Sequence, residues 1–500
     1  MKHIHFIGIC GVGMSALAIL WKKKGWKVTG SDSGFYPPVS THLQENGIDF
    51  YAGWHPDKMC QSVSGGGAPD LVVVGNVAGS ANPEWVYVQE HGIPHVSYPE
   101  LIAQNLVRKN SIVCAGTWGK TSTTALLAYI LKSADYKPAY MFGGLSLSLP
   151  YAADDEGGEW SALEGDEYKT GKDNPEAKFF SYKPTCLLLT GLAWDHFDMY
   201  PKEELYYAAF TKLLGGMPAN GLVVACADDK NIERVLGAAK CKIVKYGAGL
   251  FDYRYGNVVM NKNGIQLKIS HDGAEYDINS PLLGDYMAEN ICGAFAMANE
   301  IGVPVEKIAE AIAGFKGIKR RLEKRGVTAQ GAPVYDDIAH SPVKAKSALA
   351  TLRKIYDCHC EAKDRSNPAS NSEGSPRSQD SLAMTCPKIF AVFEPNTGNR
   401  QMTAAPSYDN CFASADEVIV PRLTKIKIDE KTKDAVMDGA KLAEVISGTH
   451  SAVKLMADDN ELIRYLKTAA GPDDAIVFLG SHGFRGMIEN LTEAVISPHQ

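Results

Sequence analysis

Residues 111–122 read SIVCAGTWGKTS, and this stretch decides the fold class of the chain. Ser111–Ala115 is a short apolar run, typical of a buried strand, and an amphipathic segment follows the glycines. Gly119-Lys120-Thr121 resembles the end of a phosphate-binding loop. In such a loop backbone N–H groups cradle the anion, Lys120 neutralises its charge and the Thr121 hydroxyl binds Mg²⁺. The order strand, loop, helix predicts a nucleotide-binding α/β unit.

The general phosphate-loop pattern is not met in full, because Cys114 stands where a glycine is expected five positions before Gly119. Gly116 supplies the flexibility instead. An ordinary turn is the alternative interpretation, but the flanking strand and helix favour a nucleotide site. The residues predicted to hold the nucleotide are Gly116, Thr117, Gly119, Lys120, Thr121 and Ser122.

A second glycine turn lies near the amino terminus, where residues 8–13 read GICGVG between a strand-like run and a helix-like run. Its spacing is G-x-x-G-x-G, whereas the dinucleotide-binding pattern is G-x-G-x-x-G. Asp32 follows at the end of the next strand, where a carboxylate binds ribose hydroxyls in dehydrogenases. Two interpretations stay open: an NAD-dependent dehydrogenase, or glycines that only permit tight packing of strand and helix.

The pattern of strand, turn and helix recurs along all 500 residues, a length that suggests about three domains at roughly 150 residues each. We predict an α/β chain with parallel sheets and domains at 1–106, 107–325 and 326–500. Tyr253–Tyr276 alternates and turns, which predicts an antiparallel hairpin. Residues 357–388 are rich in Ser, Asn, Pro and charge, which predicts a disordered insertion.

The composition is that of an ordinary globular chain, with 45% hydrophobic and 22% charged residues. A net charge of −7 gives no basic field to recruit nucleic acid. No apolar run approaches the ~20 residues that span a bilayer, and no signal peptide precedes the first strand. The 11 cysteines are scattered and are expected to be reduced thiols. We therefore expect a cytoplasmic protein without membrane insertion.

Acidic residues follow two further strands of the second domain, in Glu164–Glu167 and Asp195–Asp198. Because parallel strands end at one edge of a sheet, both clusters are expected near Lys120. Taken separately, each cluster resembles a solvated turn. Together with the phosphate loop they predict a Mg²⁺ site, although a His ligand is less usual for this ion.

Two motifs near the third domain are candidates for the same crevice. Arg321, in the basic run Lys319–Arg321, is a candidate phosphate clamp, and a solvated helix end is the alternative. Asp336–Pro342 follows a predicted strand and either faces the crevice or caps a helix.

These motifs together resemble the Mur ligases of bacterial cell-wall synthesis over nearly the whole chain. The matching segments are VTGSD at 28–32, YPPVST at 36–41, GN and NP at 75–76 and 82–83, EGDEY at 164–168, YDDIAHSP at 335–342 and FEP at 393–395. The resemblance implies a Rossmann-like UDP-binding domain, a central P-loop ATPase domain and a C-terminal Rossmann-like domain.

By this resemblance the chain is an ATP-dependent amide ligase that works through an acyl phosphate. It is most similar to the branch that joins UDP-N-acetylmuramate to L-Ala-γ-D-Glu-meso-diaminopimelate in peptidoglycan recycling. The alternative acceptor is L-alanine, used in peptidoglycan biosynthesis. A dehydrogenase would leave the phosphate loop unexplained, and a non-catalytic nucleotide-binding homologue is a third hypothesis. The expected partners are small molecules, and the expected state is a monomer or weak dimer.

The resemblance also implies residue roles. Lys120, His196, Arg321 and His340 are the expected catalytic residues, with His340 near the acyl-transfer centre. The other roles are Mg²⁺ binding by Thr121, Glu164 and His196, adenine contact by Asn290, closure of the ATP site by Arg321 and Asp337, and UDP contact by Gly11, Ser31 and Asp32. The chain departs from the family's usual residues at Trp118, Lys169, Tyr286, Met287, Ser341 and Asn396, and Arg400 is a candidate substitute for the arginine that Asn396 replaces.

Overall fold

The computed structural model describes residues 1–35, 37–61, 67–171, 173–196, 199–365, 386–424 and 436–492, with only the backbone described for 357–365. The chain divides into two compact units. The first comprises Met1–Val259 and Ile265–Lys319, and the second comprises Met260–Gly264 and Arg320–Gln500.

The first unit begins with a five-stranded parallel sheet in the order β3-β2-β1-β4-β5. Its strands are β1 (His3–Ile7), β2 (Lys27–Asp32), β3 (Asp49–Ala52), β4 (Leu71–Val74) and β5 (His95–Ser97). The connecting helices are α1 (Val12–Lys23), α2 (Val39–Glu45), α3 (Pro56–Gln61), α4 (Pro83–Glu90) and α5 (Tyr98–Asn105). Asn82 caps α4, and Ser97 with Glu100 forms a capping box on α5.

A ten-stranded sheet follows, in the order β15-β14-β13-β12-β11-β10-β6-β9-β7-β8. Its strands are β6 (Asn110–Ala115), β7 (Ala139–Met141), β8 (Ala153–Asp155), β9 (Trp160–Gly165), β10 (Cys186–Leu189), β11 (Leu222–Cys226), β12 (Lys242–Gly247), β13 (Tyr253–Asn261), β14 (Gly264–His271) and β15 (Ala274–Ser280). Its helices are α6 (Lys120–Ser133), α7 (Glu203–Gly215), α8 (Lys230–Leu236), α9 (Asp285–Glu300) and α10 (Val305–Gly314). The parallel strands β10, β6 and β9 are adjacent, so their carboxyl ends meet at Leu189, Ala115 and Gly165.

The second unit contains a six-stranded sheet in the order β16-β17-β21-β18-β19-β20, parallel except where β16 pairs β17. Its strands are β16 (Glu323–Val327), β17 (Pro333–Asp337), β18 (Ile389–Glu394), β19 (Glu417–Pro421), β20 (Val453–Met456) and β21 (Ala475–Gly480). Its helices are α11 (Pro342–Arg365), α12 (Gly439–Ser447), α13 (Asp459–Ala469) and α14 (Met487–Leu491).

The predicted α/β class is confirmed by these three sheets. The predicted hairpin is confirmed where β14 and β15 pair antiparallel, and β15 extends it to Ser280. The domain boundaries stay a prediction; the one placed between residues 325 and 326 falls within β16. Among the described residues no helix is long and apolar enough to cross a bilayer.

The predicted disordered insertion is wrong at its amino-terminal end. Helix α11 continues to Arg365, so residues 357–365 are helical. The helix-forming residues before them (residues 344–356) propagate the helix, since extending an existing helix adds a hydrogen bond for each residue it fixes. Residues 366–385 lie outside the described part of the chain, and 386–388 lead into β18.

Candidate functional site

The loop between β6 and α6 is shaped by two glycines with positive φ, Gly116 at +140° and Gly119 at +80°. A Cβ on Gly116 would lie 2.5 Å from the Thr190 hydroxyl, so no larger residue fits there. The Thr117 N–H donates to the Gly191 carbonyl at 2.7 Å, and the Thr190 hydroxyl donates to the Trp118 carbonyl at 2.5 Å. The segment after β10 thus holds the loop in place.

Lys120 begins α6 and turns its side chain back into this loop. Its Nζ donates to the carbonyls of Gly116 at 2.5 Å and Thr117 at 3.3 Å. It also lies 3.1 Å and 2.9 Å from the two carboxylate oxygens of Glu167. Burial by itself lowers the pKa of Lys120, but Glu167 outweighs this effect and the pKa lies above its ordinary value. Lys120 is therefore a fixed cation at the loop.

Thr121 and Glu164 meet beside the lysine, as the magnesium prediction requires. The Thr121 hydroxyl donates to Glu164 Oε1 at 2.9 Å, and the Gly143 N–H donates to Oε2 at 2.5 Å. Burial raises the pKa of Glu164. The two hydrogen-bond donors and the charge of Lys120 oppose this effect but do not outweigh it. A hydroxyl and a carboxylate are oxygen ligands of the kind that Mg²⁺ prefers, so this pair fits the ion.

His196 lies at the other side of Glu167, with its Nε2 3.5 Å from Glu167 Oε1. The hydrogen bond to Glu167 raises the pKa of His196, against the effect of burial. A metal ligand needs this nitrogen deprotonated and turned away from the carboxylate. The metal role of His196 stays a prediction. Phe197 and Asp198 of the same motif lie outside the described residues.

Among the described residues, no group of three or more His, Cys, Asp or Glu side chains is arranged to hold a metal ion.

Asn290 lies on α9 with its side-chain amide against the phosphate loop. The approach is close, since a Cβ built on Gly119 would lie 2.5 Å from Asn290 Oδ1. Asn290 is buried. Its contact with adenine stays a prediction. Ser122, in the first turn of α6, is half-buried.

The first glycine turn is organised around Asp32 rather than around a cation. Asp32 accepts the Cys10 N–H at 2.9 Å and the Ser33 N–H at 2.7 Å. Ser31 is fully buried and donates its hydroxyl to Glu84. A UDP group touching Ser31 would have to compete with Glu84, and the UDP roles of both residues stay predictions.

One cavity of the first unit lies between the first glycine turn and the acidic residues at the end of β9. It has a volume of about 220 Å³ and is lined by Gly11, Gly13 and Asn76 on one side and by Glu164, Asp166 and Lys178 on the other. Asn76 Oδ1 has no hydrogen-bond partner among the described residues. Lys178 pairs with Asp166 at 2.5 Å, which offsets the charge of that carboxylate. The cavity runs from the predicted UDP-sugar side to the predicted metal ligand.

Arg321, Asp337 and His340 belong to the second unit, where Arg321 is exposed. Asp337 is buried and accepts the N–H groups of Leu322 and Ala339, both at 2.8 Å. Burial raises the pKa of Asp337, which the positive charge of Arg321 partly opposes. The roles of these residues in closing a nucleotide site stay predictions.

The neighbouring Arg320 is the arginine that the second unit buries. It lies 3.1 Å from Asp336 and donates to the carbonyls of Gly480, Ser481 and His482. Arg320 thereby ties the loop after β21 to β17. The sequence alone did not separate this structural arginine from Arg321.

His340 follows β17 and is half-buried. Its Nδ1 lies 2.8 Å from the Ile338 carbonyl, and since a carbonyl only accepts, Nδ1 carries the proton in this contact. Burial lowers the pKa of His340, aided by Lys344, Arg321 and Arg320, although the bond to Ile338 opposes this. The imidazole is therefore neutral at neutral pH, with Nε2 as a proton acceptor.

The residues that depart from the usual family residues differ in their exposure and in their hydrogen-bond partners. Trp118 is 58% exposed and Tyr286 is 40% exposed. Asn396 accepts the N–H and amide of Asn399. Arg400, a candidate substitute for the arginine that Asn396 replaces, is buried and donates to the Thr424 and Met437 carbonyls.

Two buried carboxylates were missed as candidate site residues. Glu167 lies in the acidic cluster singled out by the sequence, but periodicity does not show which of its members faces Lys120. Glu84 accepts hydrogen bonds from the hydroxyls of Ser31 and Tyr51 and from the His55 N–H. Glu84 carries no sequence signal beyond its place after the helix cap Asn82.

Comparison with known proteins matches this arrangement to one family. Residues 3–110 match the catalytic domain of the Mur ligase family, and residues 114–298 match the Mur ligase middle domain. A ligase from Haemophilus influenzae, UDP-N-acetylmuramate–L-alanyl-γ-D-glutamyl-meso-2,6-diaminoheptandioate ligase, is 30% identical over 79% of this chain and 85% of its own length. The chain belongs to the Mur ligase family.

Relatives of a second kind also match over most of the chain. The UDP-N-acetylmuramate–L-alanine ligase of Allorhizobium ampelinum is 27% identical over 96% of this chain and 93% of its own length.

Solved structures of both kinds are also similar to this chain. A solved murein peptide ligase from Psychrobacter arcticus covers 98% of both chains at 25% identity with a TM-score of 0.65. The UDP-N-acetylmuramate–alanine ligase of Thermotoga maritima covers 98% of both chains at 21% identity with a TM-score of 0.75, which shows the shared fold.

Mur ligases form amide bonds with the consumption of ATP, and this chain is a Mur ligase. The predicted enzyme class is confirmed. Both kinds of Mur ligase relative act on UDP-N-acetylmuramate by name, and they differ in the acceptor.

Proposed function

We propose that this Mur ligase joins UDP-N-acetylmuramate to L-Ala-γ-D-Glu-meso-diaminopimelate in peptidoglycan recycling, using ATP. The observation that carries the proposal is the cavity shared by Gly11 and Gly13 with Glu164, beside Thr121 and Lys120. A UDP-sugar bound at the first glycine turn would direct its carboxylate along this cavity toward the phosphate loop. Asn76 Oδ1, which lacks a partner among the described residues, is a suitable acceptor for an amide N–H of such a ligand.

In this proposal the phosphate loop binds ATP. Backbone N–H groups at the start of α6 and the ammonium of Lys120 hold the β- and γ-phosphates. Thr121 and Glu164 would hold Mg²⁺, with His196 as the third predicted ligand. When bound, Mg²⁺ withdraws negative charge from the phosphates that the carboxylate attacks. Asn290 would contact adenine, and Arg321 and Asp337 would help to close the nucleotide site.

In the first step the carboxylate of the UDP-sugar attacks the γ-phosphate of ATP, ADP leaves and an acyl phosphate forms. The second step transfers the acyl group from phosphate to the amine of the acceptor. The amine nitrogen forms a bond to the acyl carbon, the bond from that carbon to the phosphate oxygen breaks, and phosphate leaves. The amine must lose a proton in this step. We assign that proton to Nε2 of His340, since Nδ1 already donates to Ile338 and burial keeps the ring neutral by lowering its pKa.

The proposed function assigns one substrate to each of the three domains predicted from the sequence. Residues 1–106 would bind the UDP-sugar, 107–325 would bind ATP and 326–500 would bind the amino substrate. Such an enzyme meets its nucleotide substrates in the cytoplasm, and we propose that location. We propose a monomer or weak dimer that binds no nucleic acid.

A second candidate acceptor is L-alanine. It is favoured by the broad match to L-alanine ligases, of which the Allorhizobium enzyme is one. Two departures from the usual residues of the tripeptide branch, Lys169 and Asn396, point in the same direction.

The test is phosphate release from MgATP with UDP-N-acetylmuramate and either L-Ala-γ-D-Glu-meso-diaminopimelate or L-alanine. The proposal expects kcat/KM at least tenfold higher for the tripeptide. A preference for L-alanine would move the protein to the biosynthetic branch. No release above that of Lys120→Ala with either acceptor would overturn ligase activity for this chain.

A further inference from the structure

Glu167 is the most enclosed ionisable group next to the phosphate loop. Its side chain is fully buried, and its carboxylate lies between Lys120 Nζ, at 2.9 and 3.1 Å, and His196 Nε2, at 3.5 Å. Its backbone is also held, since the Tyr200 hydroxyl donates to the Glu167 carbonyl at 2.7 Å. A buried carboxylate of this kind needs a counter-ion, and here Lys120 serves as one.

The hydrogen bonds of Lys120 show what a nucleotide must displace. An ammonium group has three donors. In this structure they are directed at the carbonyls of Gly116 and Thr117 and at Glu167. A phosphate can bind Lys120 only if one of these partners gives way.

Of the three partners, Glu167 is the one that phosphate replaces. The two carbonyls belong to a loop that is held by Gly191 and Thr190. Glu167, by contrast, carries the same sign of charge as the incoming phosphate, so the two compete for the lysine. We infer that Glu167 is the counter-ion of Lys120 in the nucleotide-free site and releases Lys120 to the ATP phosphates on binding.

This inference rests on the proposed binding of MgATP at the loop and gives His196 a part in it. Once Lys120 turns to phosphate, Glu167 would be buried without its cation. His196 Nε2 lies 3.5 Å from Glu167 in this structure, and if it turns to Mg²⁺ with the nucleotide, Glu167 loses that partner as well. Glu167 is therefore a positioning residue that sets the strength of nucleotide binding.

The first test measures MgADP binding by titration calorimetry in the wild type and in Glu167→Gln. The variant keeps the shape of the side chain and removes the competing charge. We expect MgADP to bind about tenfold more tightly, or about 1.4 kcal/mol. A folding defect would weaken binding instead. Unchanged or weaker binding by a folded Glu167→Gln would overturn the inference.

Two controls isolate the charge. Glu167→Asp keeps the carboxylate, so nucleotide binding should not tighten. Glu176→Gln removes a carboxylate of the same unit whose partner, Lys212, is 64% exposed, and it should leave binding unchanged. If the wild type itself binds no MgADP, the proposed function fails and this inference fails with it. If only the tightening is absent, the proposed function stands.

A second measurement, the melting temperature, needs no nucleotide and does not rely on the single variant Glu167→Gln. Lys120→Met leaves the Glu167 carboxylate buried without its cation, so the melting temperature should fall. Adding Glu167→Gln to Lys120→Met should restore most of that loss. A Lys120→Met protein as stable as the wild type would contradict the counter-ion role.

Discussion

The turn after β1 and the turn after β6 each join a buried parallel strand to a helix, and each contains a glycine with positive φ, Gly8 at +89° and Gly116 at +140°. They differ in the groups around the turn. The first is held by Asp32, whose carboxylate accepts a loop N–H. The second holds the ammonium of Lys120. The same backbone device is thus combined with a carboxylate from the end of β2 in one turn and with a lysine at the start of the helix in the other.

The comparison is tested most strongly by removing the cation of the second turn. Lys120→Ala should lower ATP-dependent phosphate release by about 10³-fold, because the transition-state charge on the phosphates loses its fixed partner. Binding of UDP-N-acetylmuramate should change less than about twofold, measured by calorimetry. Lys132→Ala, at the far end of the same helix, is the control. Equal loss of both ligands would contradict the separation of the two sites.

Two acids of the first unit, Glu84 and Glu289, should respond oppositely to pH. Burial of Glu84 disfavours its charge, but His5, 3.6 Å away, and the hydrogen bonds from Ser31 and Tyr51 prevail and lower its pKa. Glu84 therefore stabilises the fold above its ordinary pKa, and this is lost as pH falls through its lowered folded value. Glu84→Gln should cost about 2 kcal/mol at pH 7, measured by urea unfolding. A cost that persists undiminished in acid would contradict this.

Glu289 behaves in the reverse sense. Burial raises its pKa to about 7, and Asp228 and Asp229 add to this effect. The folded state then holds a proton that the unfolded state releases, so stability falls as pH rises from about 4.5 to 7. Glu289→Gln should gain on the order of 2 kcal/mol at pH 8 and nothing below pH 4.5. A gain that is independent of pH would point to packing instead.

Alanine substitution should separate Gly119 of the second turn from Gly11 of the first by stability. Gly119→Ala forces a side chain at φ +80° and within 2.5 Å of Asn290, so about 2 kcal/mol and most ATP affinity should be lost. At Gly11 an added Cβ meets nothing nearer than 3.6 Å, so Gly11→Ala should cost less than about 0.5 kcal/mol. Thermal melting compares them. Equal losses would contradict the difference in space between these two positions.

The smallest effect is expected at Trp118, where the family usually has His. Its side chain is exposed, and the loop contact at this residue is made by the Trp118 carbonyl. Trp118→His should therefore change the KM for ATP by less than about threefold, since any residue supplies that carbonyl. A tenfold change would assign the indole a part in nucleotide binding.

The strands and glycine turns were predictable because they depend on local patterns. The apolar run at β6, the loop after it and the strand before Asp336–Pro342 were predicted correctly. The short edge strand β20 and strand β16 were missed, since neither is a continuous apolar run. The helical start of the 357–388 segment was also missed, because composition outweighed the preceding helix in the prediction.

The sequence by itself determined the α/β class, the two glycine turns, and the residue types that can bind phosphate and Mg²⁺. These follow from chemistry carried by neighbours in the chain. Only the folded chain shows which acid pairs with Lys120, which arginine is buried beside Asp336, and that the first glycine turn lines one cavity with Glu164. Such pairings join residues distant in the chain, and burial makes them selective, because a charge removed from water must meet its partner.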